Sequence, residues 1–244
     1  MLLEINNSDL YVRDKRIVSG FNLHVDYGDV YALLGPNGSG KTSLLKAIMG
    51  LTGYRLTGDA RYEGQELLNL SLDERARRGI FLSYQHPPEI VGVRTIDFLD
   101  KIRVVEKDEM EQLIDKLRLR ELISREVNRG FSGGERKRLE VLQGLIKRPK
   151  LLLLDEIDSG VDVESIRLIA NTIQEYVDKN RDHVGVILVT HQAKILEYIT
   201  SNKACVVFQG QGYCYPDPEK VVKRILEVGY SDCIDCEDRV EEER

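Results

Sequence analysis

The sequence predicts an α/β fold, a buried parallel sheet with helices between its strands. Three stretches carry that expectation. Val30-Tyr31-Ala32-Leu33-Leu34 is an apolar run broken by a glycine-rich turn, Leu151 to Leu154 is four leucines ending at Asp155-Glu156, and Val184 to Thr190 is a third apolar run. Strands buried on both faces read as continuous apolar segments, and their C-terminal edge is where an open parallel sheet presents its ligand-binding residues.

The turn after the first strand runs Gly35-Pro36-Asn37-Gly38-Ser39-Gly40-Lys41-Thr42-Ser43. Glycines at this spacing let successive backbone N–H groups point inward at a phosphate, and the N-terminus of the following helix adds partial positive charge. Lys41 supplies a mobile cation for β- and γ-phosphates, and the Thr42 hydroxyl suits Mg²⁺. Strand, loop and helix occur in the required order, which a chance glycine turn beside a surface lysine would not provide. Asp155 is expected to hold Mg²⁺ and Glu156 to polarise an attacking water. Gln85 follows the expected strand from Gly79 to Tyr84 and can contact both Mg²⁺ and that water. His191 ends the third strand, within reach of a γ-phosphate.

The remaining elements follow in order. Leu2 to Asn6, Leu10 to Arg13 and Asn22 to Asp26 alternate as an antiparallel ribbon. Lys41 to Met49 is a helix ended by Gly50. Asp59 to Glu63 is a short strand. About 87–145 is helical, with Met110, Leu113, Ile114, Leu117 and Leu119 at helical spacing in a helix expected over Glu109 to Ile123. Gly133 to Ile146 is a helix stopped before Pro149, and Val163 to Asn180 is another.

Composition sets limits. With 244 residues, 42% of them hydrophobic, the chain can bury one full core. It has no apolar run long enough to span a membrane and no basic start of a signal peptide, so no membrane insertion is expected. A formal charge of −6 argues against a nucleic-acid partner. Residues 232–244 carry seven acids and two arginines, a net −5, as a solvated tail beyond a domain over 1–231. The four cysteines are too few and scattered for a disulfide scaffold, and a reducing, cytoplasmic setting is expected. Cys205 and Cys214 fall on expected strands. Cys233 and Cys236 have C-x-x-C spacing but no second pair, so the favoured reading is two incidental tail thiols.

Between the phosphate loop and the leucine strand stands Phe131-Ser132-Gly133-Gly134-Glu135. With this turn, Gln85, Asp155-Glu156, Ser159-Gly160-Val161-Asp162 and His191, nearly the whole chain resembles the ABC ATPase family. The resemblance implies an ABC-type P-loop ATPase with a RecA-like core, an antiparallel β-ribbon subdomain and a helical subdomain. It implies that two copies close head to tail on ATP, with Ser132, Gly133, Gly134 and Glu135 of one contacting ATP held by the other. It also implies an aromatic stacked on adenine, for which Tyr11 is the candidate.

Within the family, Phe131 and Glu135 around the glycines, Ile157 after Asp155-Glu156, and Gln85-His86-Pro87-Pro88-Glu89-Ile90 resemble the Suf branch. That branch serves iron–sulfur cluster assembly, and it implies SufB- and SufD-like scaffold proteins as partners of the helical part. The nucleotide-binding subunit of a membrane transporter shares the same ATPase motifs and is the alternative. A chromosome-maintenance ATPase would need coiled-coil arms or a basic surface.

Overall fold

The computed structural model describes residues 1–84, 87–190 and 194–234. Twelve strands are described. They are β1 (Leu3–Val12), β2 (Lys15–Val25), β3 (Val30–Leu34), β4 (Tyr54–Tyr62), β5 (Gln65–Glu66), β6 (Ile80–Leu82), β7 (Ile90–Arg94), β8 (Glu126–Val127), β9 (Leu151–Asp155), β10 (Gly185–Val189), β11 (Lys203–Phe208) and β12 (Gln211–Tyr215). The helices are α1 (Lys41–Met49), α2 (Leu72–Arg77), α3 (Thr95–Ile102), α4 (Lys107–Lys116), α5 (Gly133–Leu145), α6 (Val163–Lys179) and α7 (Pro218–Ile234).

The central sheet has the order β12-β11-β3-β10-β9-β6, parallel except for the β11–β12 hairpin. Its alternation builds two cores. Leu151 and Leu153 of β9, with Ile187 and Val189 of β10, face α1 and the N-terminal sheet, whereas Leu152, Leu154, Val186 and Leu188 face α5, α6 and the helical part. Each strand therefore fixes its own level in both layers, which brings Asp155 and Val189 side by side at the C-terminal edge.

The N-terminal sheet is antiparallel, β2-β1-β4-β5. The first two expected strands are one, β1, irregular in its pairing around Asn6 to Ser8, and β4 is longer than the segment expected from Asp59. Helix α1 has the expected limits, and Gly50 closes it in the left-handed region at φ 80°.

Two features of the helical part depart from expectation. Its chain includes a two-stranded sheet, β7–β8, which ties residues flanking α3 and α4 together. Helix α4 also ends at Lys116, not near Ile123. Arg118 takes a left-handed φ of 52°, and the Arg138 guanidinium donates to the carbonyls of Leu117 and Arg118 at 2.9 and 3.1 Å. A long-range cation thus satisfies the helix end, and Leu119 and Leu122 reach the core from a turn. Buried Arg75 does the same for α1, donating to Ala47 and Ile48 at 2.9 and 2.8 Å.

The cysteines give a further correction. Cys205 and Cys214 are directly opposed on β11 and β12 and are joined as a disulfide, with Cα atoms 4.0 Å apart. They stand nine positions apart in sequence, but the tight hairpin removes that distance. Of the C-x-x-C pair, Cys236 lies outside the described residues.

Candidate functional site

The loop between β3 and α1 is shaped by what surrounds it. A Cβ on Gly35 would lie 2.3 Å from the Val207 carbonyl oxygen, and Gly35 has φ 145°, so neither space nor backbone admits a side chain. Gly40 at φ 114° leads straight into α1, beneath Ile17 and Val18. Gly38 has φ 80° and no atom near its Cβ direction within 4 Å, so it faces open space.

That space is a cavity of about 660 Å³, bordered by Val12, Ile17, Gly38, Lys41, Thr42 and Glu156 among others. Lys41 is almost fully buried, and its ammonium donates to the carbonyls of Gly35 and Pro36 at 2.8 and 2.9 Å. Burial lowers its pKa to about 8, opposed by the nearby carboxylates of Glu156 and Asp155. The Thr42 hydroxyl donates to Asp155 Oδ1 at 2.9 Å. Burial raises the Asp155 pKa, the Thr42 hydrogen bond opposes this, and the Glu156 charge adds to it. A hydroxyl and a carboxylate at this separation form an all-oxygen donor pair of the kind Mg²⁺ takes.

Glu156 follows β9 in a left-handed conformation, φ 49°, and its N–H donates to the Val189 carbonyl at 3.0 Å. This backbone turns the chain so that Glu156 borders the cavity, while Asp155 is held from behind by Ser83, whose Oγ accepts its N–H at 2.7 Å. A non-glycine residue in that region carries strain. The structure therefore brings Lys41, Thr42, Asp155 and Glu156 together at one sheet edge. Gln85 and His191 lie outside the described residues.

The serine-glycine turn lies elsewhere. Ser132 is the exposed N-cap of α5, in a reciprocal pair with Glu135: Ser132 Oγ accepts the Glu135 N–H at 3.3 Å and Glu135 accepts the Ser132 N–H at 2.7 Å. Glu135 is thus occupied in capping. Gly134 has a packing reason of its own, because a Cβ there would stand 2.8 Å from Ser165 Oγ on α6. None of Ser132, Gly133, Gly134 or Glu135 borders the cavity of its own chain.

Tyr11 is also apart from the cavity wall. The Arg55 guanidinium sits over its ring at 4.4 Å, and Val12 and Ile17 provide the apolar border instead. Strand alternation, which puts Tyr11 and Val12 on opposite faces of β1, is the signal that could have found Val12. Ser83 had no comparable local signal, since its role depends on β6 lying beside β9.

Comparison with known proteins agrees with this geometry. A family model described as ABC transporter matches residues 18–159. The chain is 38% identical over 224 residues to a probable ABC transporter ATP-binding protein of Streptococcus pyogenes serotype M3, covering 86% of each. It is 41% identical over 226 residues to the probable ATP-dependent transporter ycf16 of Guillardia theta, covering 86% of this chain and 88% of that one. It is 38% identical over 245 residues to the probable ATP-dependent transporter SufC of Escherichia coli K12, covering 94% and 97%. A solved ATP-binding subunit of an ABC transporter shares the fold at TM-score 0.77, with 21% identity, 96% of this chain and 98% of that one covered.

Proposed function

The chain belongs to the ABC transporter ATP-binding family as a SufC-like ATPase that binds and hydrolyses ATP, and on that premise we propose that two copies close head to tail on ATP to drive a soluble scaffold of the SufB and SufD kind. The observation that carries the proposal is the separation of the two halves of the site. Lys41, Thr42 and Glu156 border one cavity, with Asp155 hydrogen-bonded to Thr42, while Ser132 and Gly133 are exposed at the start of α5 and outside it. A second copy supplies what the first cannot reach.

In this reading the loop N–H groups and Lys41 hold the β- and γ-phosphates. Lys41 then exchanges its two carbonyl partners for phosphate oxygens, a stronger charge-assisted bond. Thr42, Asp155 and Gln85 would hold Mg²⁺, which supplies neutralisation of charge on the transferring phosphoryl group. Glu156 orients the attacking water, and His191 donates to the γ-phosphate. Ser132 and the N-terminus of α5 from the other copy meet the same phosphate, since a helix N-terminus favours an anion. Hydrolysis removes that anchor and the copies part.

One finding supports the scaffold reading over insertion beside a permease. The relatives named ycf16 and SufC match along most of the chain. Pull-down at native expression tests the choice. Recovery of SufB- or SufD-like proteins supports it. Recovery of a membrane permease in their place rejects the Suf partner and leaves the ATPase standing.

A further inference from the structure

The Cys205–Cys214 bridge stands close to the nucleotide cavity, and the ATPase reading leaves it unused. Cys205 is buried and pairs in register with Leu33, two residues before Gly35. Two positions on, the Val207 carbonyl packs so closely against Gly35 that no side chain fits between them. The turn between β11 and β12 reaches the opposite wall. There the Ser19 N–H donates to the Gly210 carbonyl at 2.8 Å. A Cβ on Gly210 would stand 3.3 Å from the carbonyl oxygen of Ile17, a residue of the cavity border.

The hairpin is also fastened to β2 further along. A Cβ on Gly212 would fall 2.2 Å from the Phe21 ring, and Cys214 Sγ lies 3.6 Å from the Asn22 carbonyl oxygen. One short hairpin thus touches both the phosphate loop and the apolar wall of the cavity. Its second strand, β12, is the outer strand of the central sheet, bonded to β11 over five residues. Short edge elements are among the parts of a fold that open at low cost. A covalent bond between directly opposed residues holds this one in register. Cys205 is fully buried and Cys214 is partly exposed, so Cys214 Sγ is the sulfur that a thiol in solution reaches.

We propose that Cys205–Cys214 is a redox-modifiable site whose substrate is a dithiol reductant, and that its oxidised form shapes the cavity for tight nucleotide binding. A thiolate of the dithiol attacks Cys214 Sγ, forming a mixed disulfide and breaking the Cys205–Cys214 bond. Cys205 leaves with the electron pair and takes up a proton. The second thiol of the dithiol then displaces Cys214, which is protonated in turn. The protein bond ends as two thiols and the dithiol as a disulfide, so two electrons and two protons have passed to the protein. With the bond gone, Val207 and Gly210 are held by hydrogen bonds and packing alone. Gly35 and Ile17 then lose their fixed support from the hairpin. The inference rests on the ATPase reading for the identity of the ligand and adds a control to it.

The test compares the full-length chain purified without reductant, the same chain treated with dithiothreitol, and the double variant Cys205→Ala/Cys214→Ala. A fluorescent non-hydrolysable ATP analogue is titrated well below every melting transition, so loss of fold does not enter the readout. Reduction is expected to raise the dissociation constant about fivefold or more, the lower end of coupling between two sites. Reoxidation restores it. The double variant should bind as the reduced chain does and ignore dithiothreitol; if it does not fold, the oxidised and reduced wild-type chains decide the question. A smaller change in the folded wild-type chain overturns the proposal. So does a response to dithiothreitol that persists in the double variant, or free Cys205 and Cys214 thiols before reduction. A chain that binds no analogue in either state would instead refute the ATPase reading, and the two failures are thereby distinguished.

Discussion

Thr190 donates a 2.6 Å hydrogen bond to Asp158 with both side chains buried. The bond joins the turn that follows Glu156 to the strand end that precedes His191, so two parts of the site separated by a whole helix are held in one frame. Replacing Thr190 with Val removes one partner of a buried carboxylate, at a cost of about 1–3 kcal/mol. A lowered melting temperature together with slower ATP turnover is expected. Values equal to wild type in both would show that the bond does not support the site.

Glu156→Gln keeps the size of the side chain but removes its ability to draw a proton from water. ATP binding should persist while turnover falls by roughly 10²–10⁴-fold. Size-exclusion chromatography with ATP should then show an accumulated dimer, since closure proceeds and the reset does not. Lys41→Ala should act earlier and weaken nucleotide binding itself, measured by titration of a fluorescent ATP analogue.

Glu140 predicts a pH dependence of stability. Burial raises its carboxyl from 4.5 to about 7, while Lys137 and the Tyr84 N–H pull it down and the charge of Asp155 adds to the rise. A raised folded-state pKa means that the folded chain binds the proton more tightly. The stabilisation is full below about 4.5 and is lost as pH climbs through about 7. The Glu140→Gln melting temperature, followed from pH 5 to 8 in parallel with wild type, should lack that falling component.

The Cys205–Cys214 bridge closes a short loop, which constrains the unfolded chain by about 2–3 kcal/mol. Thiol titration of denatured protein should find this pair unreactive until reductant is added, and the reduced chain should melt at a lower temperature. Four reactive thiols without reductant would mean that the two cysteines are simply neighbours across the hairpin.

Much of the frame was legible because it rests on contiguous residues. The apolar runs of β3, β9 and β10 mark strands buried on both faces, and Lys41 to Met49 followed by Gly50 carries both ends of a helix in its own sequence. The glycines of the loop and the carboxylates after the leucines follow from backbone freedom and strand polarity, which are local properties. The sequence by itself thus determined an α/β sheet with Lys41, Thr42, Asp155 and Glu156 at one edge. Tertiary structure alone decided that Tyr11 lies under Arg55, that Arg138 ends α4, that Cys205 meets Cys214, and that Lys137 and Glu140 hold Tyr84. Each of these depends on segments distant along the chain being packed together, and burial then converts an ordinary surface charge into a structural bond.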